Sequence, residues 1–112
     1  MKIATAYSTL SDTEAATTES YQQLERKLGG SPQLLFAYYA APYDSAMVSR
    51  LLSEAAGPGC QLHGATSCLG SMTDEGFHSE EGVGMSLWGL DDPEGSYGTG
   101  MADIGTDPAE AA

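Results

Sequence analysis

Cys60, His63, Cys68 and His78 are all the cysteines and histidines of the chain, and they fall within nineteen residues of one another. Thiolate and imidazole are the side chains that hold zinc, so this cluster is the first place to look for chemistry. Its spacing, Cys-x2-His-x4-Cys-x9-His, matches none of the paired-ligand knuckles, and Cys60 and His63 would project from opposite faces of a strand. The residues read instead as a small core Cys60 and a surface His78, with no metal and no other cofactor implied. Within the cluster, "HGATSCLGSM" (63–72) gathers hydroxyls and glycines directly after an apolar run. A nucleophile elbow at Ser67 requires glycines two positions to either side, where Ala65 and Leu69 stand. A phosphate loop, suggested by Gly64, Gly70 and the following Ser71, lacks the lysine that such a loop places on the phosphates. "GVG" (82–84) and "GTG" (98–100) fall inside strand-like segments and fail as dinucleotide fingerprints.

The chemistry left to this stretch is holding rather than reacting. Backbone N–H groups of a turn from Gly64 to Gly70, with the Thr66 and Ser67 hydroxyls, suit a small polar ligand. The alternative is that Thr66 and Ser67 only cap the turn's own backbone. A catalytic alternative, a small hydrolase or transferase, would use Ser67 or Cys68.

The elements that must position this turn follow from periodicity. "KIATAY" (2–7) reads as a strand. A helix over about 12–28 begins at a cap placed on Ser11, with Glu14 three residues on, and Ala16, Tyr21, Leu24 and Leu28 form its apolar stripe. "GGSP" ends it. "QLLFAYYA" (33–40) has the unalternating apolar run of a central strand. A second helix over about 44–56 carries Met47, Val48, Leu51, Leu52 and Ala55, and "CQLHGA" (60–65) is a third strand. The order strand, helix, strand, helix, strand predicts an α/β fold that starts with parallel pairing. Residues 69–82 read as a long loop, 82–90 and 97–104 as antiparallel strands, and the whole as a mixed sheet. In such a sheet ligands collect at the carboxyl ends of the strands, here Tyr7-Ser8, Tyr39 to Asp44 and Thr66-Ser67. That adds Ser8, Tyr43 and Asp44 to the candidate ligand-binding set.

The charge excludes several partners. Sixteen acidic residues face four basic ones, all four of them in the first fifty positions, and the chain carries a net charge of −12. Phosphate backbones and anionic bilayers are repelled by such a surface, so neither nucleic acid nor membrane is an expected partner. No apolar stretch approaches the roughly 20 residues of a membrane span, and the N-terminus lacks a signal-peptide core. A cytoplasmic protein with reduced thiols is expected. An acidic protein-interaction module working through the second half is a further alternative. In "GTDPAEAA" (105–112), Asp107, Pro108 and Glu110 open a helix just as the chain stops, which predicts a single domain, 1–112, cut off at its last helix.

The stretch "QLLFAYYAAPYDSAMVSRLLSEAAGPGCQLHGATSCLGSM" (33–72) resembles the core of the FIST N-terminal domain. There an apolar strand ends in small residues and Tyr-Asp, a helix follows, and a second strand leads into a Gly-x-Thr-Ser-x-Gly-like turn. Gly64, Thr66, Ser67 and Gly70 carry the match, with Cys68-Leu69 where the family tends to have Ala. "EEGVGMSLWGL" resembles the family's next strand and "GTDPAEAA" its next helix, so the resemblance extends over essentially the whole chain. It implies a non-catalytic sensory domain of a signal-transduction protein that binds a small ligand such as an amino acid. It also implies continuation into further FIST and signalling modules.

Overall fold

The computed structural model describes residues 2–67 and 69–92. In chain order these form β1 (Lys2–Ser8), α1 (Thr13–Leu28), β2 (Leu34–Tyr39), α2 (Ser45–Ala56) and β3 (Gln61–Thr66). Two short strands, β4 (Ser71–Thr73) and β5 (Gly76–His78), precede β6 (Met85–Asp91). Cys68, the expected strand over 97–104 and the helix start at 107–112 lie outside the described residues.

Both helices begin on an aspartate. The Asp12 carboxylate accepts the Ala15 N–H at 2.9 Å, so the cap falls one residue after the expected Ser11. A carboxylate is as good a cap as a hydroxyl and adds a negative charge at the positive end of the helix. The shift places Glu14 one position too early to close a reciprocal capping box. Ala16, Tyr21, Leu24 and Leu28 are buried as the stripe predicts, joined by Thr17 and Ser20. Those two hydroxyls enter the packed face because each donates to a carbonyl one turn back, Thr17 to Thr13 and Ser20 to Ala16. In α2, Asp44 accepts the Met47 N–H; of the expected apolar face Val48 and Leu52 are buried, Met47 and Leu51 half-buried, and Ala55 is exposed.

The sheet is mixed, in the order β1-β6-β2-β3, with β2 and β3 parallel and β6 antiparallel to both of its neighbours. β1 and β2 therefore run in the same direction but are separated by one strand, a split β-α-β arrangement. Composition accounts for which strand takes the interior slot. In β6, Met85, Leu87 and Leu90 are all buried, whereas β1 opens with exposed Lys2 and Ile3. The edge at β1 is blunted from α1: Lys27 donates to the Thr5 carbonyl at 2.7 Å, and Gln23 accepts the Tyr7 N–H.

Side-chain alternation separates two faces of the sheet. Leu35, Ala37, Met85 and Leu87 meet Leu24, Leu28, Val48 and Leu52 in the core beneath the helices. Gly89 lies under α1, where an added Cβ would come within 2.8 Å of Leu24 Cδ2. On the opposite face, Phe36 packs against Trp88 at 5.1 Å and edge-on to His63.

The expected loop over 69–82 is instead a docked hairpin. β4 pairs antiparallel with β5 through a two-residue Asp74-Glu75 turn, helped by the Thr73 hydroxyl, which accepts the Glu75 N–H. Three of the contacts that bind the hairpin to the rest of the chain reach β1 and α1. His78 stacks flat on Tyr7 with ring centres 3.5 Å apart, Thr5 hydrogen-bonds Asp74, and Lys27 pairs with Glu75 at 3.4 Å. His78, expected on the surface, is half-buried by that stack. Strands of three residues have too little periodicity to show in sequence, and their stability comes from contacts with distant elements. No helix among the described residues is long and apolar enough to cross a membrane.

Candidate functional site

The candidate turn leaves β3 at the carboxyl end of the parallel pair. Gly64 faces Ala37 across the ladder, and an added Cβ would sit 3.0 Å from the Ala37 carbonyl oxygen, so its slimness serves strand packing. Thr66 ends the strand opposite Tyr39, exposed. Ser67 continues the ladder by one bond, its N–H donating to the Tyr39 carbonyl at 2.7 Å, while its hydroxyl donates to the Gly70 carbonyl at 2.6 Å. Gly70 is buried against the hairpin, where a Cβ would meet the His78 oxygen and the Phe77 ring at 2.8 Å. Next to it, the Ser71 hydroxyl donates to the Tyr38 carbonyl at 2.7 Å and lies 3.3 Å from the Ser67 hydroxyl.

Ser8, Tyr43 and Asp44 are placed elsewhere. Ser8 is the register partner of core Met85, on the helix side of the sheet, and its hydroxyl accepts the Leu10 N–H. The Tyr43 hydroxyl donates to the Leu10 carbonyl at 2.6 Å, and the Asp44 N–H donates to Thr13 while its carboxylate caps α2. Ser8 closes a turn within the β1–α1 connection, and Tyr43 and Asp44 fasten that connection to the start of α2. Of the seven expected residues, Ser67 and Gly70 border a common cavity.

That cavity is a cleft of about 320 Å³ between the hairpin and the face of the sheet away from the helices. Ser86 forms its floor, Tyr38 one wall, and Met72 with Phe77 the other, while Ser67, Gly70 and Ser71 close the end. Met72 and Phe77 face each other across the hairpin and are 72% and 68% exposed. Ser86 is 4% exposed, and its hydroxyl has no hydrogen-bond partner among the described residues. Among the described residues no Asp, Glu, Lys or Arg lines the cleft. Tyr38, Ser71, Met72, Phe77 and Ser86 were not legible as site residues. The one available signal was Asp74-Glu75-Gly76, a tight turn that brings Met72 beside Phe77.

The remaining reactive groups sit apart from this cleft. Cys60 packs half-buried against the core, and burial pushes its thiol up, away from the thiolate that nucleophiles and metal ligands require. The His78 Nε2 is 2.7 Å from the Thr73 hydroxyl. Among the described residues no three His, Cys, Asp or Glu side chains come together as a metal site.

Tyr43 yields a pH prediction. Burial, and secondarily Glu19, push its phenol up to about 12. An unfolded chain ionises its tyrosines near pH 10, so between that pH and about 12 the folded state holds a proton the unfolded state has released. The stabilisation is complete below pH 10 and is lost as pH rises through 12. Tyr43→Phe is expected to remove this part of the alkaline loss while costing about 1 kcal/mol at neutral pH for the lost hydrogen bond to Leu10. Denaturation midpoints against pH for both proteins check it, and identical alkaline limbs would refute it.

No protein-family model matches this chain, and no curated protein shows significant similarity to it.

Proposed function

We propose that the chain is a non-catalytic sensory domain that binds a small ligand in the cleft between the β4–β5 hairpin and the sheet. The observation that carries this is the cleft's construction. The nearly buried Ser86 turns a hydroxyl with no partner among the described residues into an apolar cavity, beside the carboxyl ends of parallel strands where α/β sheets bind ligands. The resemblance of Gly64, Thr66, Ser67 and Gly70 to the FIST turn supports the same reading, as does the volume, at the low end for small-molecule sites. A cytoplasmic location belongs to this reading. Binding without turnover is supported by Ser67, whose proton is already given to the Gly70 carbonyl rather than to a base.

The test is amide chemical-shift mapping on the full chain against a panel of small molecules, with the mixtures assayed afterwards for product. The expected result is saturable shifts centred on Tyr38, Ser71, Phe77 and Ser86, with every ligand recovered unchanged. Shifts confined to other parts of the molecule, or turnover abolished by Ser67→Ala or Cys68→Ala, would overturn it.

One further observation favours a protein partner as a second reading. Leu69, Met72 and Phe77 are large, apolar and exposed, and Asp74, Glu75, Glu80 and Glu81 lie along the same segment. A basic, apolar peptide would complement that surface, and its affinity would fall steeply with salt.

A further inference from the structure

The groups lining the cleft share one electrostatic character. Tyr38 and Phe77 contribute aromatic rings, whose faces are negative at their centres, and Met72 adds a polarisable thioether. Three serine hydroxyls complete the lining. The Ser67 and Ser71 protons are committed to the Gly70 and Tyr38 carbonyls, so toward the cavity these two side chains offer lone pairs. The Ser86 and Tyr38 hydroxyls carry no hydrogen bond to the described residues and are free to follow the ligand, Ser86 being a nearly buried residue whose Oγ is reached from the cavity. No Lys or Arg approaches, and the chain as a whole carries a net charge of −12.

A carboxylate consists only of acceptors and needs donors or a cation when taken out of water. Here, among the described residues, it would find no cation, only the Ser86 and Tyr38 hydroxyls as neutral side-chain donors, beside lone pairs and rings. An ammonium group consists only of donors and meets what it requires: oxygens that accept, and rings that attract a cation. We infer that the cleft takes an organic ammonium ion without a carboxylate, its N–H groups directed at the serine oxygens and its body between Tyr38 and Phe77. This rests on the small-ligand reading above and departs from it on one point, since a free amino acid brings a carboxylate that this lining does not accommodate.

Four probes sharing one ring separate the possibilities: tryptamine (cation), indole (neutral), L-tryptophan (zwitterion) and indole-3-propionate (anion), each titrated into the full chain by chemical-shift mapping. Tryptamine is expected to bind tightest, at least about tenfold tighter than tryptophan, and the anion not at all. Phe77→Leu keeps the apolar bulk and removes the ring face, so it is expected to weaken tryptamine by about two- to fivefold and to leave indole nearly unchanged. Ser86→Ala is expected to weaken tryptamine by about three- to tenfold. Neither change affects the packed core beneath the helices, and thermal melts of both variants serve as the control for folding. Tryptophan or indole binding as tightly as tryptamine would overturn the ammonium assignment and leave the small-ligand site standing. Tryptamine shifts unaffected by Phe77→Leu and Ser86→Ala would show attraction to the acidic surface only, which also overturns it. If none of the four probes perturbs the cleft, the ammonium assignment fails. Silence across the wider panel as well would remove the site itself.

Discussion

Gly84→Ala is expected to release the β4–β5 hairpin from the sheet and with it the cleft. An added Cβ at Gly84 would lie 2.2 Å from the His78 carbonyl oxygen and 3.1 Å from its carbonyl carbon, both backbone atoms. No rotamer change relieves such a contact, so either the start of β6 or the hairpin must move. The hairpin is the less anchored of the two, because β6 is hydrogen-bonded on both sides within the sheet. Overpacking of this kind costs about 1–3 kcal/mol and sometimes more, which for a chain of this size is a fall in Tm of at least about 5 °C. The ring-current shifts of the Tyr7–His78 stack should disappear, and any ligand bound at Ser86 and Phe77 should be lost more than about tenfold as its wall moves away. Gly59→Ala is the control, since a Cβ there meets nothing within 4 Å. A Gly84→Ala protein with unchanged Tm and an intact His78 signal would mean that the hairpin does not rest on this glycine.

The largest loss of stability is expected from Leu24→Ala. Leu24 is fully buried in α1 and presses both of its methyl groups toward Gly89 of β6, so it is the contact through which the helix seats on the interior strand. Removing it deletes buried methyls and leaves a cavity that the glycine opposite has no side chain to fill, which places the cost at about 3–5 kcal/mol. Against a total of about 5–15 kcal/mol for a typical domain, that is a large fraction of what holds the chain folded. Urea denaturation would show the midpoint falling with the slope unchanged. A cost under about 1 kcal/mol would contradict the close seating of α1 on β6. Because α1 also sends Lys27 and Gln23 to the edge of β1, the same variant should increase amide exchange at Tyr7.

Both experiments probe features of different legibility. The stripe containing Leu24 was evident from spacing alone, because a helix repeats every 3.6 residues and its buried face is recorded within a window of a few turns. The apolar run of β2 likewise marked it as an interior strand, and it lies between β6 and β3. The hairpin that Gly84 supports has, in sequence, the character of a loop. Its six paired residues carry no long period, and what holds them are Thr5 with Asp74 and Tyr7 with His78, partners about seventy positions apart in the chain. The candidate site divided in the same way. Ser67 and Gly70 were found because a hydroxyl-rich turn after a strand is a local pattern. Ser86 and Tyr38 were not, since a serine in an apolar strand carries no sign of what lies above it until the neighbouring elements are in place.

The sequence by itself thus determined the α/β class, the two helices, the buried face of α1 with the Val48–Leu52 centre of α2, the interior position of β2 and the acidity that disfavours phosphate-rich partners. All of these rest on local periodicity or on composition, which need no knowledge of distant contacts. Tertiary structure decided the insertion of β6 between β1 and β2, the docking of β4–β5 and the separation of Ser8, Tyr43 and Asp44 from the cleft. Each of these is a choice among partners far apart in the chain. Such choices are made by the packing of whole faces against one another, and no single window of residues contains both sides of the contact.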